Sequence, residues 1–487
     1  MTQLQLLCSF TGSNICWAFL LAVLTIPIYS LLLLMSNISR KGAHLHQLLP
    51  PGSQGWLPIV GETLEYARPN QSLSFMQRRV RRYGELFQSH LFGDRIIVSC
   101  NPKTNHFICQ HEYKLFKSSY PRSFVSILGE KNVLALPKEL HKKVRGALLS
   151  SFASSLRTKE YIKDISMTIS RTLEQWDGRV ICVQDELAKM AYVVAAKRLL
   201  GLNEHDPECQ ILQTLYFELI KGLISIPINF PGMAYHKSMR ARTKIAKIID
   251  DMISKRKAAH CNPLSQDFMD ALIKLEEESS DAFVTREVTR DSILSVLFAG
   301  HDTVSKAMTC AVKYLSDNAN VLEMLKKEHI RIEEQVKEGE DLAWDDYKSM
   351  TFSNNVVSEI LRITNIAPGV FRDAVEDVDI DGLRIPKGCK VMAYFTLNHL
   401  DTSKFPDPFQ FNPWRWQDKS LSEGTFMPFG GGPRLCPGND FAKLQICIFL
   451  HHLVLKYRFK QIEEDQILYS PYIHFKRGLS TLFETIQ

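Results

Sequence analysis

The chain has 487 residues, 45% hydrophobic and 23% charged, with a formal net charge of +6. This composition is globular and allows a large core that still encloses a ligand cavity. The small charge excess suits a local basic face better than nucleic-acid binding, and eleven cysteines without CxxC pairs or zinc-like spacing argue against a disulfide scaffold or zinc site and for reduced thiols.

In chain order, Ile15–Met35 is 21 residues without a charge, long enough to span a bilayer as a helix. Arg40 and Lys41 follow it, which places the remainder in the cytosol. A cleaved signal would carry a charged start and a shorter apolar run. The stretch LPPGSQGWLPIVGET, Leu49–Thr63, has three prolines and three glycines and reads as an extended tether. The expected organisation is an anchor over 1–45 (span about 15–35), a Pro/Gly-rich tether over 46–63, and one large domain over 64–487.

Within that domain, helical and β-like segments alternate to about Gly129, with a strand at Arg95–Cys100. Lys138–Asp341 is mostly helical. Thr285–Leu315 is a long helix without proline, and Lys348–Arg362 is another. DVDIDGLRIPKGCKVMAYF carries β-hairpin signals, and Asn439–Lys456 is a strong helix with Asn439 or Asp440 as its cap. The class is mainly α with small β-sheets.

FMPFGGGPRLCPG, Phe426–Gly438, is the most specific stretch. It fits neither a Walker loop nor a dinucleotide fingerprint. A merely buried cysteine explains neither the glycines nor the helix that follows. A thiolate before a helix N-terminus gains from the dipole and free amides, and glycines let amides approach it. Such a sulfur suits an axial haem ligand.

Phe429-x-x-Gly432-x-Arg434-x-Cys436-x-Gly438 resembles the haem-binding signature of the cytochromes P-450. The resemblance implies Cys436 as the axial thiolate to iron, with Phe429 and Gly438 beside it and Arg434 on a haem propionate. Ala299-Gly300-His301-Asp302-Thr303 looks like the family's A-G-x-[DE]-T motif. There Gly300 lets the haem face approach the helix, and Thr303 and Asp302 relay protons to bound dioxygen. His301, with no second ligand placed beside it, is packed or solvated instead of a metal ligand. Val304 stands where many relatives place a second hydroxyl residue.

Glu359-x-x-Arg362 alone would be a surface pair worth about 0.2–0.5 kcal/mol. Its resemblance to the family's E-x-x-R motif couples it to Arg415, between Trp414 and Trp416, as a structural network of the haem core. His141, Arg145 and Arg372 match propionate-binding positions. Lys142, Lys143 and Lys443 are solvated charges or part of a basic face for an acidic reductase.

The resemblance implies the cytochrome P-450 fold behind a single transmembrane helix. It implies haem b, dioxygen as co-substrate, and electrons from NADPH through NADPH–cytochrome P-450 reductase. Phe124, Val125, Phe298, Ala299, Ile366, Ala367, Val370 and Leu479 are each core or pocket lining; together they suit a hydrophobic ligand. SYPRSF, INFPGMAYHKSMRAR, WDDYKSMTF and FLHHLVLKY resemble plant brassinosteroid-pathway hydroxylases and their neighbours. The expected substrate is a plant isoprenoid: a steroid, a triterpenoid, or an apocarotenoid such as a strigolactone precursor. The expected setting is single-pass, at the endoplasmic reticulum. The competing readings are a reductase-independent haem isomerase or dehydratase, and a non-catalytic haem-binding membrane protein.

Overall fold

The computed structural model describes residues 48–53, 61–153, 158–225, 227–259, 267–278, 283–336, 340–417, 421–469 and 473–486. The expected membrane span and most of the tether lie outside these residues. Among the described residues, no helix is long and apolar enough to cross a membrane.

The helices that frame the site are α1 (Pro102–Gln110), α2 (Lys138–Ala153), α3 (Lys159–Glu174), α4 (Val183–Leu200), α5 (Pro207–Ile220), α6 (Ala234–Ala258), α7 (Arg286–Asp317), α8 (Ala319–Gln335), α9 (Thr351–Thr364) and α10 (Asn439–Lys456). The axis of the molecule is α7, 32 residues long. It starts where the Thr285 hydroxyl accepts the Val288 N–H at 3.4 Å, a side-chain N-cap. Its N-terminal half (Val288, Ile293, Leu294, Val296–Phe298) packs with α2, α5 and α6 in one apolar core. Its C-terminal half (Val304, Ala307, Met308, Cys310–Val312, Leu315) packs with α3, α8, α9 and α10 in another. α4 contributes to both.

The main sheet contains β1 (Leu86–Leu91), β2 (Asp94–Ser99), β3 (Phe116–Ser118), β4 (Gly369–Ala374) and β5 (Lys390–Tyr394), in the order β1-β2-β5-β4-β3. β2 and β5 pair in parallel, Ile97 with Val391. The other pairs are antiparallel. A three-stranded sheet joins Arg179–Cys182, Ser480–Thr485 and Tyr457–Gln461, and two short hairpins complete the β part.

Two sequence expectations need adjustment, and a third resolves in finer detail. The helix over 348–362 is two helices: Trp344–Ser349 ends at Met350, whose ψ of 61° breaks the path before α9. The hairpin signals between Asp377 and Phe395 resolve into one hairpin and one strand of the main sheet. Val378–Ile380 and Leu383–Ile385 turn through Asp381 and Gly382, both at positive φ, while β5 joins the main sheet. Neither Asn439 nor Asp440 caps α10; Gly438 is its N-cap, without a side-chain bond.

Where α3, α8 and α10 meet, three histidines are buried. His329 Nδ1 lies 3.2 Å from His451 Nδ1, His329 Nε2 lies 3.0 Å from the Ser353 hydroxyl, and His452 Nε2 lies 2.7 Å from the Ser166 hydroxyl. The Glu328 carboxylate accepts the N–H groups of Phe352 (2.6 Å) and Ser353 (2.9 Å), satisfying amides that open α9.

Burial holds the His329 and His452 imidazoles down at about 3. Unfolding returns them to about 6.5, so between those values the unfolded chain binds more protons. Stability therefore falls as pH drops below about 6.5. Denaturant unfolding of the parent and of His452→Gln at pH 7.5 and 5.5 measures this. The variant should lose about 1.4 kcal/mol less on acidification; equal losses would contradict the assignment.

Candidate functional site

The cysteine loop is shaped by its glycines and seated on α1. Gly430 and Gly432 have φ of 73° and 64°, the region open to glycine. A Cβ on Gly432 would lie 2.1 Å from the Cys109 carbonyl oxygen, so the loop touches the C-terminal end of α1 through bare backbone. The Cys436 N–H then donates to the Phe429 carbonyl at 3.0 Å. Phe429 is half-buried, and Lys443 Nζ lies 5.5 Å from its ring centre. Burial pushes the Cys436 thiol up, while the Gly438 amide and the Arg145 charge pull it down. The chain alone thus favours the thiol; a coordinated metal ion makes it a thiolate.

On α7 the seam between the two cores is open. Ala299 and Thr303 are exposed, although Val296–Phe298 before them and Val304–Ser305 after them are buried. The Thr303 hydroxyl donates to the Ala299 carbonyl at 2.9 Å. Asp302 Oδ2 is paired with Lys306 Nζ at 2.6 Å, both side chains largely buried. A Cβ on Gly300 would meet the Ala195 Cβ at 3.6 Å, an ordinary contact, so packing against α4 does not require glycine here. His301 is buried between α4, α5 and α7: its Nδ1 lies 2.7 Å from the Leu297 carbonyl, and the rings of Tyr192 and Tyr216 stand edge-on at 5.3 and 5.8 Å. Burial lowers its pKa.

A cationic cradle assembles from distant segments. Arg145 Nη1 donates to the Leu435 carbonyl at 2.6 Å. Arg434 donates from Nη2 to the Leu136 carbonyl at 2.6 Å, from Nη1 to the Leu134 carbonyl at 3.1 Å, and from Nε to Glu112 Oε1 at 2.7 Å. Arg372, on β4 and 2% exposed, pairs through Nε with Glu112 Oε2 at 2.5 Å. His141 is buried, with Nδ1 2.6 Å from the Tyr113 hydroxyl. Burial, then the Arg434, Arg145 and Arg372 charges, lower it to about 3, so it serves as a neutral hydrogen-bonding group. Three guanidinium charges against one carboxylate leave a surplus of two. A haem carries two propionates, so this surplus, the loop around Cys436 and the open face at Ala299 and Thr303 fit that group. Cys436 would hold the iron, and Arg145, Arg372, Arg434 and His141 the propionates.

Beneath lies a second buried network. Glu359 and Arg362, both fully buried, form two parallel bonds: Nε to Oε2 and Nη2 to Oε1, each 2.8 Å. Glu359 also accepts from Arg415 Nε (3.0 Å), Trp416 Nε1 (2.9 Å) and the Asn412 amide (3.0 Å). Arg362 Nη1 donates to the carbonyls of His399 (2.9 Å) and Pro408 (2.7 Å). His399 carries the network onward. Its Nδ1 lies 2.6 Å from Asn365 Oδ1, and its Nε2 accepts the Met427 N–H at 3.0 Å. Burial and Arg362 lower His399 to about 3, which keeps Nε2 an acceptor.

Of the expected pocket residues, Phe124 stacks on Tyr120 at 5.2 Å and meets Phe298 edge-on at 6.3 Å. Ala299 and Ala367 are exposed, and Val125, Ile366 and Val370 are half-buried. Leu479 is 0% exposed within the core shared by α3, α8, α9 and α10, a packing position. A cavity of about 290 Å³ lies between Tyr66, Tyr314, Ile366, Pro368, Tyr394 and Tyr469; Ile366 is the one expected pocket residue in its lining. Glu112 and His399 carry no motif in the sequence and were not anticipated.

A family model described as Cytochrome P450 matches residues 50–475. A cholesterol 22-monohydroxylase of Paris polyphylla is 37% identical over 94% of this chain and 98% of its own length. A 3-epi-6-deoxocathasterone 23-monooxygenase of Arabidopsis thaliana is 36% identical over 88% of each chain. Among solved structures, retinoic acid-bound cyanobacterial CYP120A1 superposes with a TM-score of 0.80 at 26% identity, over 90% of this chain and 99% of that one.

Glu359→Ala would leave two guanidinium groups and an indole N–H without their acceptor. Such a break costs about 3–5 kcal/mol, and haem-loaded protein should fail to accumulate. His399→Leu unpairs the Met427 amide for about 1–3 kcal/mol; urea unfolding at neutral pH reads both, and parent-like stability in either variant would contradict the network.

Proposed function

Because the chain belongs to the cytochrome P450 family, we propose that it hydroxylates or further oxidises a plant steroid, held at a membrane by its N-terminal apolar segment with the catalytic domain in the cytosol. The chain is a haem-thiolate monooxygenase, and takes haem b, dioxygen and NADPH-derived electrons delivered by a reductase. When bound at Cys436, the haem supplies dioxygen activation and oxygen insertion into a C–H bond. The protein supplies position, protons and the exclusion of water. Thr303 Oγ donates its proton to the Ala299 carbonyl, so its lone pairs remain to accept a hydrogen bond on the open face of α7. Asp302, ion-paired with Lys306 and next in sequence to Thr303, is the second member of the proton relay. Val125, Ile366, Ala367 and Val370, with Phe124 and Phe298, offer apolar contact to a ligand with few polar groups.

The observation that carries the substrate reading is the near full-length similarity to relatives named for steroid 22- and 23-hydroxylation. A second class, carboxylated apocarotenoids, is favoured by the retinoic acid in the structural neighbour. Turnover of a panel of sterols, triterpenes and apocarotenoid acids with NADPH and reductase distinguishes them. Sterol turnover that vanishes without NADPH supports the proposal. Turnover of fatty acids alone would overturn it, and NADPH-independent product would mean isomerase or dehydratase chemistry.

Two variants test the site. The reduced, carbon-monoxide difference spectrum should show a strongly red-shifted Soret band in the parent and none in Cys436→Ser. Thr303→Ala should load haem normally but couple oxygen reduction poorly to product; unchanged coupling would remove the hydroxyl from the relay.

A further inference from the structure

Glu112 is a carboxylate in a place built for cations. Its side chain is 0% exposed, it lies two residues past the end of α1, and it belongs to none of the sequence signatures. Oε1 accepts from Arg434 Nε at 2.7 Å and from the Ser118 amide at 3.0 Å; Oε2 faces Arg372 Nε at 2.5 Å. Ser118 pairs in register with Arg372 across β3 and β4. One side chain therefore joins the cysteine loop, the end of α1, and the edge strand β3 with its neighbour β4. The turn that presents it is tight: the Tyr113 N–H donates to the Phe116 carbonyl at 2.7 Å, and Tyr113 has φ of 71°.

A buried carboxylate is costly unless it is paired, and a site that receives two anionic groups has no need of a third anion as a contact. Its use must lie in the arginines. Without Glu112, the guanidinium groups of Arg372 and Arg434 would face each other with no counter-charge until the cofactor arrives. With it, Arg434 is hydrogen-bonded through Nε and Arg372 is ion-paired, and Arg434 is also held over the Tyr113 ring at 5.2 Å. The cradle keeps a surplus of two charges instead of three.

We propose that Glu112 is a positioning residue for the haem, which pre-sets Arg372 and Arg434 for the propionates and tunes the charge felt by the iron. The inference rests on family membership and is independent of the substrate. A buried negative charge near a redox centre disfavours the reduced, more negative state, so removing it raises the potential.

The test uses the full chain with haem bound. Glu112→Gln should shift the ferric/ferrous midpoint to more positive potential and lower the thermal midpoint of the haem-depleted protein. Glu112→Asp keeps the charge and should hold the parent potential. The double variant Glu112→Gln/Arg372→Gln restores the surplus of two and should return the potential toward the parent value. A Glu112→Gln potential equal to the parent would overturn the proposal and leave Glu112 as a loop staple. Where Glu112→Gln retains too little haem to titrate, Glu112→Asp decides: retained haem at the parent potential supports the proposal, and haem loss as severe as in Glu112→Gln overturns it.

Discussion

The structure depends first on one buried carboxylate, Glu359, and the donors that surround it. Two guanidinium groups, an indole N–H and a backbone amide converge on its two oxygens. A buried ion pair adds little net stability over an apolar substitute, but removing one partner strands the rest. The result is a geometric constraint more than a source of energy. It fixes the residues around 399–416 against α9, and through His399 it reaches the Met427 amide two residues before Phe429. The loop that holds Cys436 is thus braced from behind by neutral hydrogen bonds that end in a charged knot.

The electrostatics of the site follow a similar plan on the other side. Arg145 donates to the Leu435 carbonyl, Arg434 to the Leu134 and Leu136 carbonyls and to Glu112, and Arg372 to the Phe371 carbonyl beside its ion pair with Glu112, so each arginine of the cradle is partly held by the protein itself. His141 contributes as a neutral ring because burial and three arginines keep it so. The central helix adds a third constraint. Its two halves are anchored in separate apolar cores, and the exposed stretch at Ala299 and Thr303 falls where one core hands over to the other. The helix can present a polar, open face there because neighbouring turns on both sides are fully packed.

What the sequence made legible was short-range. Cys436, Arg434 and the glycines occupy a dozen residues; Thr303 and Ala299 sit one turn apart; Glu359 and Arg362 share a helix face. Each pattern has a local physical reason and can be read without knowing the fold. Glu112 and His399 act on partners hundreds of residues or a whole loop away, and nothing in HEYKLF or TLNHL distinguishes them from surface polar residues. The pairing of Asp302 with Lys306 was readable as an i, i+4 pair, yet the family motif drew attention to its other neighbour. Leu479, which the sequence left open between core and pocket lining, packs in the core. Met350 breaks an expected helix by a backbone angle that its residue type does not announce, and the Gly438 cap shows that a helix can begin on backbone geometry where Asn and Asp stand ready.

The parallel pairing of β2 with β5 joins Ile97 to Val391, so the central strand of the main sheet is filled by a segment made late in synthesis. Loop closure over such a distance is entropically slow, and a chain leaving the ribosome carries β2 with an unpaired edge for most of its translation. α2, α4 and α7 can assemble meanwhile, but Arg372 and Cys436 reach the site only when the last quarter of the chain has emerged. The cradle is therefore completed only late in synthesis, and until β5 arrives the β2 edge stays unpaired, the kind of edge that makes a folding chain prone to aggregation.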